Sequence, residues 1–191
     1  LVYAMVRPRP GDFVFSPADV DAMLHEIDVV RRYGLAGVVL GASQLDGRLD
    51  EAALRRLCQH AQGLGRTLHR AFDLVPELEQ AVECAVALGF ERILSSGRAA
   101  SAMAGLADLG RSVALSRGRI SIMPGSGLHA GNVAALLAAV PAQEIHGSCS
   151  VAIAPSTANG FASDLAHKQT SVAAVRAFKA AFLAAFLAAR A

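Results

Sequence analysis

Seven consecutive residues, Thr67-Leu68-His69-Arg70-Ala71-Phe72-Asp73, put an imidazole, a guanidinium and a carboxylate into one short stretch. An unperturbed imidazole titrates at about pH 6.5, which makes His69 a candidate for moving protons. Asp73 is placed to orient it, or to pair with a cation such as Arg7. His146 is the second candidate proton carrier. Arg7, Arg9 and Arg70 offer guanidinium forks suited to carboxylate or phosphate, and Ser96, Gly97 and Ser148 add small polar or backbone donors. Gly125 and Gly127, in Pro124-Gly-Ser-Gly, precede a helix that starts near Asn132. Such a loop forms an anion cradle when its N–H groups and the helix N-terminus face one ligand. For a soft metal ion, the donors at hand are the thioethers of Met5 and Met123 and the imidazoles of His69 and His146. The plainer alternative is a hydrogen-bonded network with methionines as packing.

These residues need elements that hold them. Strand-like runs begin near residues 1, 37, 67, 92, 120 and 144. Helical patterns separate them: from Ser16 (N-cap) and Pro17 to Gly34, from Asp50 to Leu64 with Gly65 as the stop, from about Pro76 to Leu88, from about Ala99 to Leu115, and from Asn132 to Val140. Residues 147–169 read as a long polar loop and Ser171–Ala189 as a final helix. The repeat has the size of a βα unit, so an open doubly wound sheet and a (β/α)8 barrel compete. Side chains alternate faces along a strand. Tyr3, Met5 and Arg7 then share one face, as do Thr67, His69 and Asp73, and Glu144, His146 and Ser148; Arg70 falls on the apolar side unless the strand ends before it. A central strand of an open sheet is apolar on both faces, whereas polar residues kept to one face suit a barrel lumen. The expectation is an α/β chain with one TIM-type barrel domain over residues 1–191, showing six of eight units. Leu1 opens inside a strand-like run, so the chain reads as an N-terminally truncated piece.

Composition narrows the function. With 53% hydrophobic and 18% charged residues the chain is a packed protein and not a disordered one. A net charge of +2 without a basic stripe argues against nucleic acid as a partner. No run reaches the ~20 apolar residues of a membrane span, so no membrane partner is expected. Cys58, Cys84 and Cys149 lie far apart and form neither a disulfide framework nor a zinc site. With no signal peptide in the chain, a cytoplasmic location is the default.

Arg7-Pro-Arg-Pro-Gly-Asp-Phe, Leu68-His-Arg-Ala-Phe-Asp, Leu94-Ser-Ser-Gly, Ile122-Met-Pro-Gly-Ser-Gly and Glu144-Ile-His-Gly-Ser resemble, in order, successive motifs of the CutC copper-homeostasis family. The likeness runs from the start to about residue 150. Pro10, Leu68, Ser95 and Ser126 depart from the family's usual residues. The resemblance implies a TIM-type barrel and a protein that binds or handles copper. It also implies two further βα units at the start of the family pattern, with cysteines and glutamates on their strands. Without them two parallel strand edges stay open, and self-association is expected.

Two functions follow. The resemblance implies a cytoplasmic copper-homeostasis protein, with copper as ligand and ligand exchange as its mechanism. The residues themselves suggest a barrel enzyme of lyase or isomerase type acting on a small anionic or phosphorylated substrate. In that reading Arg7 and the glycine loop anchor the anion while His69 and His146 move protons.

Overall fold

Ser16 starts the first helix as the sequence predicts. Its side chain accepts from the Asp19 N–H, the Asp19 side chain accepts from the Ser16 N–H, and Pro17 fills the first turn. The helix α1 (Pro17–Arg32) buries Val20, Met23, Ile27 and Val30, three or four residues apart, and stops before Gly34 at φ +64°. The same logic repeats along the chain. In the computed structural model, which describes residues 1–153 and 167–188, the order is β1 (Tyr3–Met5), α1, β2 (Gly37–Leu40), α2 (Glu51–His60), β3 (Gly65–Leu68), a 3-10 turn (Arg70–Leu74), α3 (Leu78–Ala87), β4 (Arg92–Ser95), α4 (Leu106–Ser116), β5 (Ser121–Pro124), α5 (Val133–Ala139), β6 (Ser150–Ile153), β7 (His167–Thr170) and α6 (Val172–Ala188).

The first five strands are parallel, and each pairs with its predecessor in the order β1-β2-β3-β4-β5. A doubly wound sheet reverses its order part-way, whereas this single direction of winding belongs to a TIM-type barrel. The register separates two faces. Val38, Leu40, Leu68, Ile93 and Ile122 point outward and are buried under the helices. On the other face one row runs Met5, Val39, Thr67, Arg92 and Ser121. One layer below, Tyr3 lies over Gly37 and Gly65, leaving no room for a Cβ at either. The Arg92 guanidinium sits 4.9 Å from the Tyr3 ring and pairs with Glu144 at 3.0 Å, while the Tyr3 hydroxyl donates to Glu91. Thr67, Arg92 and Ser121 keep to the lumen face, as the alternation predicts, whereas Arg66 of β3 lies on the helix face and donates to the Cys58 carbonyl of α2.

Five sequence readings need correction. The fourth helix starts at Leu106 and not near Ala99, with turns in the residues before it. The strand predicted over Thr67–Asp73 ends at Leu68, because His69 caps the 3-10 turn that follows; face assignments by parity stop there, Arg70 included. The second helix ends at His60 and not at Leu64. Gly63 takes the left-handed backbone, at φ +84°, and Gly65 opens β3 instead of closing the helix. The predicted strand at 144–146 is an extended segment whose one backbone bond to the sheet runs from the His146 N–H to the Pro124 carbonyl, 2.8 Å. Within the predicted loop 147–169, β6 and β7 pair antiparallel. The rest of that loop, residues 154–166, and the end of the final helix at Ala189 lie outside the described residues.

Candidate functional site

The C-terminal ends of the five parallel strands gather most of the candidate residues. Asp73 is the hub. Its Oδ1 accepts from Ser95 Oγ at 2.6 Å, the Ser96 N–H at 3.1 Å and the Arg98 N–H at 3.2 Å. Its Oδ2 accepts from Arg70 Nε at 2.7 Å and lies 3.0 Å from Ser96 Oγ. Burial alone would raise its pKa, but these donors outweigh burial and hold the carboxyl below the ordinary carboxylate range. The expected pairing of Asp73 with His69 or Arg7 is not formed: its cation is Arg70, and its lone pairs are engaged by the β4 exit loop. Gly97 belongs to the same knot. It sits at φ +70° with its Cα against the Gly105 backbone, where a Cβ would collide with the Gly105 carbonyl.

His69 is held differently. Its ring rests on Gly41, where an added Cβ would come within 2.5 Å of the imidazole. Nδ1 accepts the Ala71 N–H at 3.1 Å, so the ring proton sits on Nε2. Nε2 is buried and has no hydrogen-bond partner among the described residues. Phe13 covers the ring at 4.5 Å, and the Arg7 guanidinium stacks on Phe13 at 4.7 Å. Arg7 donates to the Gly11 carbonyl through Nη2, and its Nε is buried without a partner among the described residues. Burial pushes the His69 pKa down to about 4, with the charge of Arg7 acting in the same direction, so the ring is neutral near pH 7. His146 lies beside Gly125 with its side chain exposed, and partial desolvation lowers its pKa also.

The other candidates are more fully used by the protein itself. Arg9 spends its donors on Asp12, Asp19 and the Val14 and Pro10 carbonyls, fastening the loop after β1 to α1. Arg70 also donates from Nη2 to Ser96 Oγ at 2.7 Å. Asn132 does not face outward as a cradle. Its Oδ1 accepts the His129 N–H and its Nδ2 donates to the Gly127 carbonyl, so it knots the glycine loop. Gly127 is left-handed, at φ +72°, and Gly125 is pinned by its N–H to the Ser95 carbonyl and by Leu94, 2.6 Å from where its Cβ would be. Ser148 Oγ lies 3.0 Å from Ser150 Oγ. Residues 127–131 and 148–150 together line a groove of about 400 Å³ under Phe178 of α6, away from the Arg7–Phe13–His69 stack.

Sequence reasoning missed Gly41, Phe13 and Arg98. Gly41 follows a buried strand and shares the parity of Gly37, which signals a small residue under a large one. Phe13 was in view only as part of a motif. Nothing in the sequence marks Arg98, whose backbone N–H, at φ +57°, is what reaches Asp73.

As a set of copper ligands the candidates fit poorly. Met5 lies on β1 and Met123 on β5, the two edges of the sheet, four strand spacings or roughly 19 Å apart along its surface. With its lone pair on Nδ1 engaged, His69 presents a proton and not a lone pair at Nε2. No group of three or more His, Cys, Asp or Glu side chains able to hold a metal occurs among the described residues.

The comparisons identify the family. The CutC family model matches residues 1–151, most of the chain. The chain belongs to the CutC family. A CutC family protein of Rhizobium meliloti is 50% identical over 183 residues, spanning 94% of this chain and 74% of its own length. One from Chromobacterium violaceum is 42% identical over 190 residues, covering 94% of this chain and 76% of that protein. A solved CutC structure from Streptococcus agalactiae, provisionally assigned to copper homeostasis, matches with TM-score 0.72 at 30% identity over 75% of this chain and 71% of that one. The barrel expected of a CutC chain is therefore the observed architecture. In this CutC chain no helix among the described residues is long and apolar enough to cross a membrane.

Proposed function

We propose that this CutC-family chain serves copper homeostasis through a barrel-mouth site that takes a small oxyanion and not a bare copper ion. The observation that carries the reading is the pair of buried donors, Arg7 Nε and His69 Nε2, unpartnered among the described residues, with both side chains packed on Phe13. A buried donor left unmade costs about 1–3 kcal/mol, and an oxygen-rich ligand relieves that cost. Donors of this kind suit carboxylate or phosphate, while soft metals want thiolate, thioether or an imidazole lone pair. Entry requires Phe13 to move off the imidazole. Arg7 supplies the fixed charge, and His146, exposed and lacking a charged partner among the described residues, is the group placed to exchange protons with a bound ligand. A cytoplasmic setting is supported by Cys58, Cys84 and Cys149, all free thiols.

Calorimetric titration with phosphate and oxalate tests the site. The wild type is expected to bind at least one of them, and Arg7→Ala to weaken that binding about tenfold or more, the loss of one charge-assisted hydrogen bond. Unchanged affinity in the variant contradicts the reading. A second reading, direct copper binding, draws on one observation: the His146 N–H bonds to Pro124, next to Met123, so an imidazole and a thioether come from adjacent segments. Cu(I) competition against a chelator, lost in His146→Ala, would favour it.

A further inference from the structure

We infer that His69 is a neutral hydrogen-bond donor of fixed tautomer and that its Nε2–H receives a carbonyl or enolate oxygen of a small carboxylate, whose carboxylate group lies on Arg7. The inference rests on the oxyanion reading above and adds the division of labour within the site.

Three observations fix the state of the ring. The Ala71 N–H is a donor, so the Nδ1 facing it at 3.1 Å carries the lone pair, and the proton is at Nε2. The 3-10 turn that brings Ala71 there is capped by His69 itself, which ties the tautomer to the backbone. Gly41 allows the ring to lie flat on the end of β2, and any side chain at that position would push the imidazole out of its seat. The ring is 3% exposed, yet Nε2 has no acceptor. In the described structure a donor is built, oriented and left unmade.

The two donors differ in kind. Arg7 is a permanent cation and matches a full negative charge. His69 is uncharged and matches an oxygen that is neutral in the ground state and gains charge as it reacts. A ligand with both a carboxylate and a carbonyl oxygen uses each donor as built; an inorganic anion uses Arg7 alone. A neutral imidazole acting as electrophile leaves proton transfer to a different group, which shifts that role from His69 to His146.

The test uses the whole chain labelled with ¹⁵N at histidine, with oxalate as a planar probe presenting two carboxylates in the manner of an enolate. Long-range ¹H–¹⁵N correlations are expected to show His69 as the Nε2–H tautomer throughout pH 5.5–8, and oxalate to shift its Nε2–H signal. The His69→Gln variant retains a donor amide and is expected to keep oxalate affinity within about threefold, whereas His69→Leu loses about tenfold or more. An Nδ1–H tautomer, or protonation of His69 within that pH range, overturns the inference. So does oxalate binding that leaves the His69 signals unmoved while still requiring Arg7, a result that spares the oxyanion reading. Absence of oxalate and phosphate binding altogether sinks both.

Discussion

Replacing Asp73 with alanine is expected to lower stability by about 3 kcal/mol. The carboxylate side chain is 7% exposed and gathers the Ser95 hydroxyl, the Ser96 and Arg98 N–H groups and Arg70. Removing it orphans the Ser96 N–H and the Ser95 hydroxyl in a part-buried place, while the Arg98 N–H lies at the exposed rim. Arg70 is two-fifths exposed, so its share of the loss is small. Urea unfolding measures the effect as a lower midpoint at constant slope. A loss below about 1 kcal/mol would mean that the knot is not held by this carboxylate. The pH dependence has a definite sign. The folded pKa lies below the ordinary 3.8, so the stabilisation is complete above that value and is lost as pH falls toward the lower folded one. The same saturation keeps Asp73 from serving as a base: a carboxylate that accepts this many hydrogen bonds has little affinity for a proton.

His69 makes a comparable contribution in a different pH window. Its folded pKa is about 4, against an ordinary 6.5. Between those values the unfolded chain takes up a proton that the folded chain refuses, so stability falls as pH drops from 6.5 to 4. Over the full window the loss is about 3 kcal/mol, at 1.36 kcal/mol per unit. Stability curves of wild type and His69→Gln, compared at pH 7 and at pH 4.5, isolate the effect. The variant is expected to lose less on acidification by about 2 kcal/mol, since glutamine does not titrate. Parallel curves would show that His69 accepts a proton in place, which contradicts a neutral buried imidazole.

The barrel was legible because its signals are local and repeated. Ser16-Pro17-Ala18-Asp19 specifies a capped helix by itself, and the turns at Gly34, Gly47 and Gly89 all fall where left-handed backbone is needed. The strand ends were less legible, because alternation carries no mark of where it stops. His69 looks like one more inward strand residue until its side chain caps the next turn. Glu144 and His146 follow strand parity although they make only one backbone bond to the sheet. At the site, residue type supplied the candidates, and their partners came from the fold. Asp73 was expected to meet His69 or Arg7, and the 3-10 turn brings Arg70 to it instead. Asn132 and Arg9 have the chemistry of ligand-binding residues, yet their donors are consumed within the chain.

Crystals of the chain equilibrated with oxalate give the most direct measurement of the central claim. The account predicts density for the anion within hydrogen-bond distance of Arg7 Nε and His69 Nε2, with Phe13 displaced from its place over the imidazole. Density confined to the groove lined by residues 127–131 and Ser148, with the Arg7–Phe13–His69 stack undisturbed, would contradict it.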